Sequence, residues 1–258
     1  DVLVQTDLRG VETHGVSNML RVYVQYYNEG TLKARPNWRI VRESPATATI
    51  DADRGLAVIL GPKAMRIAMD KARKVGVGVV TMHDAGHSGA LGHHAMLAAK
   101  EDMVGMVATA AGLLVVPTFG AEPRLGTNPL AMAAPAKNEP PFLFDVATSA
   151  VAGNKLRLAE RVDAKLLPGW IAELDGSPIL EETPIRERGE YYQLPLGGTR
   201  ELGSHKGYGL AIMVEVLATM LSAGVPSMVN EAPGLSRHHF AAYSIDAFMD
   251  VDVFKERM

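Results

Sequence analysis

The stretch from residue 77 to residue 109 constrains the fold more than any other. Val77-Gly78-Val79-Val80 is a short β-branched run, residues 90–101 carry a helical pattern, and residues 104–109 return to strand composition. This strand–helix–strand alternation marks an α/β layer, because a helix that joins two strands of one sheet must cross over a face of that sheet. Further strands are expected at 39–42 and 46–50, each rich in residues that suit a pleated surface, and at 130–134, 142–146 and 239–245.

The helical expectations follow from capping and spacing. Ser17 is placed to cap a helix whose apolar face is Met19, Leu20, Val22, Tyr23 and Tyr26, with Gly30 ending it. Pro62 suits the first turn of a second helix, with Met65, Ile67, Ala68 and Ala72 as its buried stripe and Gly76 as its stop. Residues 148–162 read as a helix weakened by Gly153, and 163–204 as a Pro- and Gly-rich loop region. Residues 207–222 form a helix apolar nearly all round, expected at the centre of the molecule or at a subunit interface.

Composition narrows the function classes. The 258 residues are long enough to bury a large core, as one or two domains. With no cysteine, a disulfide scaffold, a thiolate zinc site, an iron–sulfur cluster and a cysteine nucleophile are excluded, and a reducing, cytoplasmic location is expected. A net charge of −3 without a basic run argues against nucleic acid as a partner. The longest apolar stretch, 210–221, is interrupted by Glu215 and Thr219 and falls short of the roughly 20 residues that cross a bilayer, so no membrane partner is expected. No signal peptide is visible, and the opening and closing residues read as the ends of a piece of a longer chain.

Histidine and glycine carry the chemical signal. His87 stands in Gly86-His87-Ser88-Gly89 at the mouth of a strand-to-helix turn, where α/β proteins bind ligands. His14 abuts Gly15 in Thr13-His14-Gly15, a context that a turn histidine would also explain. Lys206, in Gly203-Ser204-His205-Lys206-Gly207-Tyr208-Gly209, lies near the start of the long apolar helix, where the helix dipole already favours an anion. Thr148 and Ser149 follow a strand in Asp145-Val146-Ala147-Thr148-Ser149 and offer a hydroxyl beside free backbone N–H groups, although a capping role for Asp145 or Thr148 explains the same residues. His83 and His87 are four apart, but the residues between them disfavour a helix, so no metal site is expected; His93 and His94 read as helix-surface residues. The dinucleotide glycine fingerprint, a phosphate-loop lysine and a hydrolase serine elbow are all absent.

In this order the motifs resemble the malate/L-lactate dehydrogenase family of the second type, which also holds sulfolactate and ureidoglycolate dehydrogenases, diketogulonate reductase and piperideine-carboxylate reductase. The resemblance rests on Asp7 to Gly15, Gly86 to Gly89, Gly126-Thr127-Asn128-Pro129, Asp145 to Ser149, Leu167-Pro168-Gly169-Trp170, Pro195-Leu196-Gly197-Gly198 and His205 to Gly209. It implies a mixed-sheet α/β fold like that of sulfolactate dehydrogenase, unrelated to the doubly wound nucleotide fold. It implies an oxidoreductase that uses NAD or NADP on a small 2-hydroxy or 2-oxo acid, working as a homodimer. Reduction of a cyclic imine carboxylate, or cofactor binding with degraded catalysis, are the alternatives on the same cleft.

The resemblance also assigns roles. His14 and His87 fall on the two acid/base positions, Thr13, Asn18 and Arg21 on the substrate side, and Asp145, Val146, Ala147, Thr148, His205 and Lys206 along the cofactor. It divides the chain into a mainly helical substrate and dimer part, residues 1–38 and 207–258, and an α/β cofactor part, residues 39–206. Many relatives carry a carboxylate-holding arginine where this chain has Asn18, with Arg21 one helical turn on as a substitute. The chain also differs at Ala111 or Gly112, one of which takes the place of a usual polar residue, and at Asn154, before Lys155.

Overall fold

The computed structural model describes residues 1–187, 189–229 and 234–258. Seven strands form the main sheet in the order β1-β2-β3-β9-β4-β5-β6. They are β1 (Arg39–Glu43), β2 (Thr47–Asp51), β3 (Val77–Ala85), β4 (Met103–Ala110), β5 (Leu130–Ala134), β6 (Phe142–Val146) and β9 (Ser236–Ser244). Only β2 and β3 pair in parallel; every other neighbouring pair is antiparallel. The sheet is therefore mixed, as the resemblance implies, and not doubly wound. A small ladder, β7 (Ile171–Ala172) with β8 (Tyr192–Gln193), gives local order to the region read as loop.

The alternation at 77–109 does form a crossover. However, β3 and β4 are not neighbours, because β9 lies between them and pairs antiparallel with both. The centre of the sheet thus comes from near the C-terminus. Within residues 207–258, β9 is buried over Ser236–Phe240 and beyond and lies in the main sheet.

One face of the sheet carries α3 (Ala57–Val75) and α4 (Leu91–Ala99). Ala64, Ala68, Ala72, Ala95 and Ala98 are all buried there, so small side chains let both helices lie close to the strands, around the fully buried Phe240. The other face carries α6 (Ser204–Val214), prolonged by a π-helical segment, Glu215–Met220, which packs on β3, β4 and β9. Its apolar residues divide. Ala211, Val214 and Ala218 are buried, while Ile212, Met213, Val216, Met220 and Leu221 are exposed. The segment thus covers the central strands with one side and keeps an exposed apolar side.

Three boundaries differ from expectation, each for a tertiary reason. α2 (Val16–Asn28) starts from Gly15, not Ser17, because its cap comes from Asp7. α3 begins at Ala57 and holds Pro62 in its interior, its first turn being tied instead by the Val58 N–H bond to the His87 carbonyl (3.1 Å). α5 (Gly153–Arg161) begins five residues late, because Ser149 pairs with Pro195 and the Ala150 N–H bonds the Leu194 carbonyl. The remaining helices are α1 (Val2–Leu8) and α7 (Val251–Arg257), and among the described residues no helix is long and apolar enough to cross a membrane.

Candidate active site

The end of β3 and the start of α2 bring two histidines together. The rings of His14 and His87 stack with centroids 5.5 Å apart and planes 15° apart. His14 closes a short 3-10 turn, Glu12–His14, directly ahead of α2. Asp7, from the end of α1, accepts the Val16 N–H at 2.9 Å and so caps α2 from nine residues away. Any Cβ at Gly15 would overlap that carboxylate, so glycine here makes room for the cap that fixes His14.

Hydrogen bonds set the proton on His87. Its Nδ1 accepts the Gly89 N–H at 3.1 Å and lies 2.7 Å from the Tyr23 hydroxyl. An amide N–H can only donate, so Nδ1 is the acceptor, Tyr23 donates to it as well, and neutral His87 carries its proton on Nε2. Burial, with some help from the His14 charge, lowers the His87 pKa to about 3, and burial lowers that of His14 to about 4. Both are neutral at pH 7. Burial and the neighbouring Tyr26 and Tyr27 push the Tyr23 hydroxyl above its ordinary range, which keeps it a donor. His14 Nδ1 lies 2.8 Å from the Thr13 hydroxyl, which can donate or accept.

A buried polar layer holds the loop on both sides of His87. His238 donates from Nε2 to the Gly86 carbonyl (3.1 Å), and His94 donates from Nε2 to the Ser88 carbonyl (2.9 Å). His238 Nδ1 therefore accepts from the Thr109 hydroxyl at 2.9 Å, which leaves Thr109 to accept from the Ser88 hydroxyl at 3.3 Å. Burial drives the pKa of His238 to about 3 and that of His94 to about 4. His94 is thus an interior group, not the helix-surface residue expected from its sequence neighbours.

The residues assigned to the cofactor lie at the end of β6, in the loop after it and in the first turn of α6. The Asp145 carboxylate accepts the Gly92 N–H at 2.7 Å and caps α4, the helix that follows the His87 loop. The Thr148 hydroxyl is not free, as the sequence suggested, but donates to the carbonyls of Thr127 (3.1 Å) and Asn128 (3.0 Å). The Thr148 carbonyl accepts the Leu196 N–H at 2.8 Å, and α6 packs on Leu196 so closely that a Cβ at Gly207 would overlap its backbone. That contact seats the start of α6, with the exposed His205 and Lys206, on the segment bonded to Thr148; Val146 and Ala147 ahead of it are half-buried. Asn128, fully buried, ties the loop to α6 by donating to Ala211 O (3.1 Å) and Glu215 Oε1 (3.0 Å).

A phosphate-bearing cofactor fits this corner. Lys206 is exposed, has no ion-pair partner among the described residues, and folds back so that its Cδ would lie 3.4 Å from a Cβ on Gly203, the residue before the helix. An ammonium held over a helix N-terminus is a donor set suited to an anion.

The substrate-side residues separate. Asn18 bonds the Thr13 carbonyl through Nδ2 (3.2 Å), and its Oδ1 accepts from Arg161 (3.0 Å). Arg21 lies roughly 160° round α2 from Tyr23, along an exposed groove with Leu20, Val24 and Gln25. It thus lies on the side of α2 turned away from Tyr23, whose hydroxyl bonds His87. His83 pairs with Asp84 at 3.1 Å and sits across from Asp51 on β2; the three groups lie within 4.8 Å of one another, with Arg39 bound to Asp51. Sequence reasoning missed Tyr23 and His238. Tyr23 reads as one more residue of an apolar stripe, and His238 carries no neighbouring motif.

Comparison with known proteins assigns the family. The profile described as malate/L-lactate dehydrogenase matches residues 1–258. The chain is 41% identical to the malate dehydrogenase of Pyrococcus abyssi, over all of the chain and 72% of that protein. It is 36% identical to the L-sulfolactate dehydrogenase of Methanocaldococcus jannaschii, over all of the chain and 73% of that protein. Among solved structures, the malate dehydrogenase of Entamoeba histolytica superposes with a TM-score of 0.92 at 32% identity, over all of this chain and 74% of that one. With the whole chain matched and its imidazole pair assembled from the motifs at Asp7–Gly15 and Gly86–Gly89, the protein belongs to the malate/L-lactate dehydrogenase family.

Proposed function

We propose that the protein is an NAD- or NADP-dependent oxidoreductase that interconverts a small 2-hydroxy acid and its 2-oxo acid. The observation that carries this reading is the stacked His14–His87 pair, neutral at pH 7 and fixed by Tyr23, Gly89 and Asp7. The relatives' names, malate and sulfolactate dehydrogenase, supply the substrate class. When bound, the nicotinamide supplies the hydride acceptor or donor. Lys206 and the first turn of α6 would hold its phosphate, with Val146, Ala147 and His205 beside it and Asp145 and Thr148 fixing the backbone there.

The protein's own groups divide the proton chemistry. His87 presents its Nε2–H to the substrate oxygen, a consequence of the two hydrogen bonds into Nδ1. With Thr13 accepting from Nδ1 of His14, the lone pair on His14 Nε2 is open to take the hydroxyl proton as the alcohol is oxidised. In the reverse direction the same nitrogen returns it. In this reading residues 1–38 and 207–258 serve the substrate and the dimer, and residues 39–206 hold the cofactor while also supplying His87. The exposed Ile212, Met213, Val216, Met220 and Leu221, with Phe142 and Phe144 on edge strand β6, support a homodimer. The lack of cysteine supports a cytoplasmic location.

The test is turnover. Nicotinamide absorbance with a panel of 2-oxo acids and both reduced cofactors should show oxidation of one cofactor, abolished in a His14→Ala, His87→Ala double variant. Cofactor binding without any turnover would favour the reading of a cofactor-binding protein with degraded catalysis.

A further inference from the structure

The hydroxy-acid reading requires a cation beside the imidazole pair, because a carboxylate adjoins the reacting carbon. Asn18 is neutral and Arg21 faces away. Helix α5 supplies charge instead. It is seated on the start of α2 by two contacts, Asn154 Nδ2 to the Met19 sulfur (3.1 Å) and Arg161 to Asn18 Oδ1 (3.0 Å). Asn154, Arg157 and Arg161 follow the spacing i, i+3, i+7, so they share one face of α5, with Arg157 between the two anchoring residues. That face is turned toward the 3-10 turn of Thr13 and His14, which α5 contacts.

The charges on this face are unanswered. Among the described residues neither Arg157 nor Arg161 has a carboxylate partner, and the only partner of Arg161 is a neutral amide. The neighbouring Lys155 is engaged elsewhere, over the Trp170 ring at 5.3 Å. Arg157 is close enough to His87 for its charge to disfavour protonation of that imidazole. Two guanidinium groups one helical turn apart, roughly 6 Å along the axis, match a substrate bearing two acid groups.

We propose that Arg157 and Arg161 anchor a dianionic substrate, Arg157 holding the carboxylate next to the reacting carbon and Arg161, oriented by Asn18, holding a second carboxylate or sulfonate. Guanidinium is suited to both, since its planar donors pair two oxygens at once. The substrate class is then a 2-hydroxy acid with a distal acid group, and simple monoacids such as lactate are poor substrates. This rests on the dehydrogenase reading above.

The experiment compares oxaloacetate, a dianion, with pyruvate, a monoanion, in the wild type and in Arg157→Gln and Arg161→Gln; both side chains are exposed, so circular dichroism should show both variants folded. Arg161→Gln should raise KM for oxaloacetate about tenfold or more and leave pyruvate within about twofold, whereas Arg157→Gln should raise both about tenfold. In each case kcat should stay within about threefold, since these groups bind ground and transition states alike. Calorimetric binding of succinate, an unreactive dianion, reads the anchor without turnover and should weaken in both variants. Unchanged succinate binding, or an oxaloacetate KM unmoved by either substitution, overturns the anchor. Weakened succinate binding in a protein that reduces no 2-oxo acid supports the anchor while the dehydrogenase reading fails.

Discussion

His238 gives its Nε2 proton to the carbonyl of Gly86, the residue immediately before His87. A fully buried imidazole on the central strand thus fixes the loop that presents the catalytic candidate. His238→Phe leaves the Gly86 carbonyl without its partner at a cost of about 1–3 kcal/mol. It should lower kcat about tenfold or more at a temperature where the variant is still folded. His238→Gln keeps an N–H donor and should recover part of that loss. Equal kcat in the two variants would mean that the bond does not position His87.

The acid/base pair predicts a division of labour. His87→Ala and His14→Ala should each lower kcat by roughly 10²–10⁴ with little change in cofactor affinity. In the oxidative direction kcat/KM for the wild type should stay level from pH 8 down through 6.5 and fall only near pH 4, where His14 protonates in the free protein. A kcat/KM that falls with an apparent pKa near 6.5 would remove His14 from the role of base.

Buried neutral histidines also make stability depend on pH. His238 and His94 titrate at about 3 and about 4 in the folded chain against 6.5 when exposed, so below pH 6.5 the unfolded state binds more protons. The stability they confer is complete above about pH 6.5 and is lost as pH falls toward 3–4. Urea midpoints measured from pH 7.5 to 4.5 should decline, and the decline should be shallower in His94→Gln. An identical slope in that variant would show that His94 does not carry this dependence.

Lys206 is assigned to the cofactor by its place over the start of α6. Lys206→Met should weaken cofactor binding by about 1.5–3 kcal/mol, the scale of a hydrogen bond to a charged group, with an unchanged thermal midpoint. Wild-type affinity in that variant would contradict the assignment.

Much of this was legible in the residues. The β-branched run at 77–80 and the apolar segments around it located the strands of the sheet, and the glycines beside His14 and His87 singled out both histidines, because glycine marks the close approaches that these turns need. Order along the chain did not reveal that β9 would insert between β3 and β4, since strand neighbours are chosen in three dimensions. Helix starts were misplaced at Ser17, Pro62 and Thr148 because distant residues set them: Asp7 caps α2, the His87 carbonyl ties the first turn of α3, and the pairing of Ser149 and Ala150 with Pro195 and Leu194 delays α5. The bonds of Thr148 to the 127–128 loop, and the seat of α5 against Asn18, were equally hidden, each being a contact between segments far apart in sequence.

The central claim is that the His14–His87 pair serves hydride chemistry on a hydroxy acid. Its most direct measurement is the rate of nicotinamide oxidation with oxaloacetate and each reduced cofactor, in the wild type and in His87→Ala. The account predicts turnover with at least one cofactor and a loss of roughly 10²-fold or more in the variant. Turnover unchanged in a folded His87→Ala protein, or no turnover of any 2-oxo acid by wild type that binds the cofactor, would contradict it.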